Sequence, residues 1–142
     1  MGEYLVDDEL HIPSVLRKFD RFLHEHASSK DSDFLERECC LLFLSYLSPI
    51  VNGHGYVFKE AVVGDERRVD LVVTFNNKRS IVELKIWRGE KYHEKGLQQL
   101  CDYLDVCGEN EGFSLIFDFR ADKTTREAEL TVRDKRIHAV WV

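Results

Sequence analysis

Three charged side chains stand where a buried strand would hold apolar ones. Asp70 lies in the run Val69 to Phe75, and Glu83 and Lys85 interrupt the run Ser80 to Trp87. Residues two apart on a strand share a face. Glu83 and Lys85 therefore point one way, while Val82, Leu84 and Ile86 point the other. Between the two runs lies Asn76-Asn77-Lys78-Arg79, a polar break with a hairpin signature. Paired as a hairpin, the runs bring Asp70 beside Glu83. Charges among apolar neighbours are costly unless they pair or hold a metal ion. For Glu83 and Lys85 alone, the plainer reading is an ion pair on a half-exposed sheet.

The elements that must position these groups are legible from periodicity. Pro13 suits a first helical position, and Val15, Leu16, Phe19, Phe22 and Leu23 recur at helical spacing, which predicts a helix from Pro13 to His26. Ala27-Ser28-Ser29-Lys30 reads as a linker. Asp31 or Ser32 caps a second helix running to about Leu47, where Ser48-Pro49 is expected to end it. Its apolar face is built on Leu35, Cys39, Leu42, Phe43 and Tyr46, and Glu36 lies nearer that face than Glu38. Both acids also read as ordinary solvated helix residues. Asn52 to Gly55 is a turn, Tyr56 to Val63 a strand containing Glu60, and Gly64-Asp65-Glu66 another turn. After the central hairpin, Leu97, Leu100, Cys101 and Leu104 mark a helix from Tyr92 to Val106. Gln99 and Tyr103, four apart, share a face of it. Phe113 to Phe119 is a strand, and Ala128 to Val132 pairs with Ile137 to Val142 in a last hairpin. The residues before Ile12 show little periodicity. The expected division is an N-terminal helix and linker over residues 1–30 and one α/β domain over 31–142.

Asp70 on one strand, then Glu83-Leu84-Lys85 on the next, resembles the metal-binding core of the PD-(D/E)xK nuclease superfamily. Gln99-Leu100-Cys101-Asp102-Tyr103 is similar to the Gln-x-x-x-Tyr motif of its RecB-like branch. The element order of helix, three-strand meander, helix and strand is the order of the restriction-endonuclease-like core. Phe34 to Tyr103 also resembles the C-terminal nuclease-like domain attached to AAA-type ATPases in many gut bacteria, through Phe34 to Glu38, Pro49 to Gly53 and Glu83 to Gly89. Relatives of that kind often carry Gly-Arg where this chain has Cys39-Cys40.

The resemblance implies that Asp70, Glu83 and the backbone carbonyl of Leu84 hold a divalent cation, and an all-oxygen set selects Mg²⁺ or Mn²⁺. It implies DNA phosphodiester hydrolysis in which Lys85 serves the attacking water or the transition-state charge. Glu36 would complete the water network or bind a second ion, Glu60 is a further acidic candidate, and Gln99 and Tyr103 would orient Lys85 or the phosphate. Arg67, Arg68, Lys91 and Lys95 would touch phosphates, with solvated surface charge as the equal alternative. The implied partners are DNA, an AAA-type ATPase domain and a second copy of the chain as a homodimer. The alternative function is a degenerate nuclease-fold interaction or regulatory domain of such an ATPase.

With 142 residues, 44% hydrophobic and 32% charged, the chain is long enough to bury a core and too apolar to be disordered. No apolar run is long enough to span a bilayer, and Met1 to Tyr4 lacks a signal-like region, so a cytoplasmic location is expected. Cys39, Cys40, Cys101 and Cys107 show no zinc spacing and read as reduced thiols. The formal charge of −6 argues against a generic high-affinity nucleic-acid binder.

Overall fold

The computed structural model describes residues 5–6, 9–26, 32–60, 68–118 and 126–142, with the backbone alone at 6, 24–26, 32–38, 60 and 68–70. In chain order the elements are β1 (Leu5–Val6), β2 (Glu9–Leu10), α1 (Ile12–His26), α2 (Ser32–Val51), β3 (Val57–Glu60), β4 (Arg68–Phe75), β5 (Lys78–Ile86), α3 (Glu90–Cys107), β6 (Glu111–Phe117), β7 (Arg126–Val132) and β8 (Lys135–Trp141). The last six strands form one mixed sheet in the order β3-β4-β5-β6-β8-β7. Among the described residues the protein is therefore α/β, with a six-stranded mixed sheet and three helices.

The β4–β5 hairpin forms where the polar break predicts it. Asn76 and Asn77 both take positive φ, 50° and 68°. This is the primed two-residue turn whose twist matches that of paired strands. The expected meander is present, since β3 pairs antiparallel with β4 and β4 with β5. β5 and β6 then pair in parallel across α3. A parallel pair needs such a long crossover, and α3 supplies it. Gly108 closes α3 in the left-handed conformation, its N–H bonding the carbonyl of Asp105. The final hairpin lies at the far edge, and β8 runs parallel to β6.

The two faces of the sheet bury different layers. Val82, Leu84 and Ile86 of β5 join Leu71, Val73, Leu115 and Val140 under α1 and α2. At the centre of that layer Phe19 meets Phe43 edge-on at 5.0 Å and Phe117 at 6.1 Å. Tyr46 caps the contact between the two helices by donating its hydroxyl proton to the carbonyl of Val15 at 2.8 Å. On the opposite face α3 lays Leu97, Leu100, Cys101 and Leu104 over Val72, Ile81 and Ile137. The odd-numbered positions of β5, Glu83 and Lys85 among them, belong to this second face.

Two elements differ from expectation. α2 does not stop at Ser48-Pro49 but runs through Pro49 to Val51. Proline removes one helical N–H and crowds the preceding turn. Here the ladder resumes at once, with the N–H of Asn52 on the carbonyl of Ser48 at 2.9 Å. The extra turn buries Ile50 and Val51, and that apolar burial offsets the lost bond. The N-terminal residues, which show no periodicity, form the short β1–β2 hairpin, pairing Leu5 with Leu10 and burying Leu10. Strands this short carry no repeat that a pattern could reveal. The expected linker Ala27 to Lys30, the Asp31 cap, the strand end Ala61 to Val63, the turn Gly64 to Glu66, and Arg67 and Phe119 lie outside the described residues. All four cysteines are free thiols. Among the described residues no helix is long and apolar enough to cross a membrane.

Candidate active site

The register of the sheet places the charged residues in rows. Glu60 of β3 is opposite Asp70 of β4, Asp70 is opposite Glu83 of β5, and Glu83 is opposite Ser114 of β6. The next row runs Arg68, Lys85, Ile116, Trp141 and Arg126. Residues directly opposite one another occupy the same face of a sheet. Asp70 and Glu83 are therefore direct cross-strand partners on the face that carries Lys85. Had they fallen on opposite faces, no common ligand could join them. The side chains of Glu36, Glu60 and Asp70 lie outside the described residues, as does Arg67 entirely.

Glu83 and Lys85 are buried far beyond a half-exposed pair, at 0% and 2% exposure. Lys85 Nζ stands 3.3 Å from Glu83 Oε1 and donates to the backbone carbonyl of His93 at 3.2 Å. Ser114 Oγ donates to the same carboxylate oxygen at 3.3 Å. Burial separates this pair from the ion pairs on the surface of the molecule. Arg133 to Asp102, at 2.7 Å with side chains 42% and 68% exposed, belongs to a class contributing about 0–1 kcal/mol. Removing one partner of a buried pair costs about 3–5 kcal/mol, because the remaining charge is left uncompensated.

No protein-family model matches the chain, and no curated protein matches it. The residues' own geometry is what supports a function.

α3 covers the pair. Gly96 sits directly above Lys85, and Gln99 and Tyr103 follow it at the i+3 and i+7 positions of one helical stripe. With 1.5 Å of rise per residue, Gln99 is about 4.5 Å and Tyr103 about 10 Å along the axis from Gly96. Both are half-buried, and Tyr103 packs against the cluster of Val72, Ile81 and Leu100. A separate flank of α3 faces the β7–β8 turn, where Arg133 bonds Gln98, Asp102 and Asp105. Lys91 and Lys95 are exposed and line a shallow groove with Glu94, Leu97, Gln98 and Val132. Arg68 shares the register row of Lys85.

Two residues at the site carry little sequence signal. Ser114 is a lone hydroxyl in an apolar strand, and only the parallel pairing of β6 with β5 makes it a partner of Glu83. His93 is buried beside Trp87 and Trp141, with ring centroids at 5.4 and 5.5 Å. Trp87 continues the alternation of Glu83 and Lys85, which was the one available hint that aromatic rings adjoin the site. Arg126 lies over the Trp141 ring at 4.1 Å. Burial first, then the charges of Lys85 and Arg126, lower the His93 pKa from 6.5 to about 4. The imidazole is neutral at pH 7.

A histidine with a lowered folded pKa makes its full stability contribution above its unfolded value. As pH falls from 6.5 toward 4, the unfolded chain takes up a proton that the folded chain refuses, and stability declines. Thermal melts across that window should show this decline in wild type and a flatter profile in His93→Gln. Parallel profiles would assign the acid sensitivity to other groups.

Proposed function

We propose that this chain is a divalent-metal-dependent nuclease domain with a restriction-endonuclease-like core, hydrolysing DNA phosphodiester bonds. The observation that carries the reading is the register match of Asp70 with Glu83 on the face of Lys85. The element order supports it: helix α2, the antiparallel meander β3-β4-β5, helix α3 and the parallel strand β6.

The donor chemistry fits a hard cation. Carboxylates occupy three neighbouring register positions, at Glu60, Asp70 and Glu83, with no histidine or cysteine in that row. Among the described side chains no group of three or more potential ligands gathers, so in this reading the site depends on Asp70 joining Glu83. Asp70, Glu83 and the Leu84 carbonyl would hold Mg²⁺ or Mn²⁺, with Glu60 and Glu36 as further oxygen donors. When bound, the cation would offset phosphate charge and lower the pKa of water. Ser114 fixes one carboxylate oxygen of Glu83 and so limits its rotation. Lys85 supplies a preorganised positive charge where negative charge develops on the phosphoryl group. Gln99, on the stripe of Gly96, would contact the phosphate or Lys85, and Tyr103 would support it from farther along the helix.

A second reading is favoured by the burial itself. With Glu83 and Lys85 closed under α3 and a net charge of −6, the domain would be a degenerate nuclease fold serving an AAA-type ATPase as an interaction or regulatory module. Either form is compatible with the cytoplasm and with a homodimer. Supercoiled plasmid incubated with the protein across a titration of Mg²⁺ and of Mn²⁺ separates the two. The nuclease reading expects metal-dependent nicking or linearisation that chelator stops. Intact plasmid at every metal concentration supports the regulatory module instead.

A further inference from the structure

α3 crosses the Glu83–Lys85 face at Gly96, a buried position in the middle of an 18-residue helix. Glycine in a helix interior is destabilising relative to alanine. A methyl group there would lie 2.7 Å from Lys85 Nζ, 3.4 Å from Lys85 Cδ and 3.7 Å from Glu83 Oε1. If the glycine served only to let helix and sheet approach, the nearest atoms would be sheet backbone. Among the described residues all three are instead side-chain atoms of the buried pair. One turn earlier on the same helix, the His93 carbonyl accepts from the same ammonium at 3.2 Å, while Glu83 Oε1 stands 3.3 Å from it. α3 thus provides an acceptor and, beside it, the gap in which the ammonium stands.

We infer that Gly96 is a positioning residue for Lys85: its missing side chain leaves the space that holds the ammonium between the Glu83 carboxylate and the His93 carbonyl. The inference rests on the reading of Lys85 as the charge that serves the scissile phosphate. It extends that reading to α3, which sets where the charge stands.

Gly96→Ala, made in two backgrounds, tests it. One is wild type and the other is Glu83→Gln with Lys85→Met, which removes both charges together and leaves neither uncompensated. Methionine is one atom shorter than lysine, so it lacks the atom closest to the new methyl. In the neutral background alanine should raise the melting temperature by about 3 °C through helix propensity alone. In wild type it should lower the melting temperature, because the ammonium is pushed off both acceptors. Failure of Gly96→Ala to fold in wild type while it folds in the neutral background gives the same support. For DNA cleavage, kcat should fall about 10²-fold, with KM for DNA unchanged and Mn²⁺ affinity equal or tighter. An equal rise in melting temperature in both backgrounds, or an unchanged kcat in an active enzyme, overturns the inference. If wild type cuts no DNA under any metal, the nuclease reading fails alone, and the paired melts still decide the role of Gly96.

Discussion

Lys85→Met should reduce DNA cleavage by about 10²–10³-fold or more, the loss typical of a preorganised charge aimed at the transition state, while Mn²⁺ binding persists. The two readouts separate because lysine is not a metal ligand. In the folded protein its ammonium stands 3.3 Å from Glu83 Oε1, where it competes electrostatically with any cation the carboxylate would hold. Removing it leaves Mn²⁺ affinity equal or tighter by calorimetry. Methionine conserves most of the volume, so the fold is retained. Stability is not conserved. Glu83 is fully buried, and stripping its partner charge should cost about 3–5 kcal/mol in the metal-free protein. Added Mn²⁺ should recover much of that loss by supplying a new counter-charge. The signature is therefore threefold: activity lost, metal bound, and a lowered melting temperature that metal restores. Cleavage by Lys85→Met at the wild-type rate would place the activity elsewhere.

The parts of this site that sequence made legible are those governed by local patterns. Period-two alternation put Glu83 and Lys85 on one face and Val82, Leu84 and Ile86 on the other, and the structure buries them in separate layers. The polar break from Asn76 to Arg79 marked a hairpin, and the structure narrows its turn to Asn76 and Asn77, which fixes the register. Register in turn fixes Asp70 opposite Glu83. Helical spacing found α1 and α3 to within two residues at each end. What stayed hidden depends on contacts between segments distant in the chain. Ser114 reaches Glu83 across 31 residues, through a parallel pairing that no local pattern specifies. The sequence reading did not single out His93, whose burial beside Trp141 depends on a residue 48 positions on. Gly96 in an amphipathic helix looks like a weak point until the helix is laid on Lys85. Pro49 misled for a related reason: its local penalty was real, but burial of Ile50 and Val51 outweighed it. The depth of the Glu83–Lys85 pair was likewise invisible, because alternation predicts which face a residue takes and not what covers that face.

Asp70→Asn should abolish high-affinity Mn²⁺ binding without altering the circular dichroism spectrum. Asp70 is directly opposite Glu83 in an eight-residue antiparallel ladder. Asparagine keeps the size of the side chain and the backbone pairing but removes the charge that a hard cation requires. In the nuclease reading, a cation that binds only the folded form stabilises it by mass action. At 100-fold excess over Kd, that linkage is worth about 2.7 kcal/mol. For a domain of this length it corresponds to a rise in melting temperature of several degrees. Mg²⁺ or Mn²⁺ should therefore raise the melting temperature of wild type and leave that of Asp70→Asn nearly where it was. Glu83→Gln provides the complementary test from the opposite strand. It should lose the metal-induced rise as well, but from a lower starting temperature, because it removes the buried negative charge 3.3 Å from the Lys85 ammonium. A common metal response in wild type and Asp70→Asn would remove Asp70 from the site, and with it the cross-strand pair on which the nuclease reading stands.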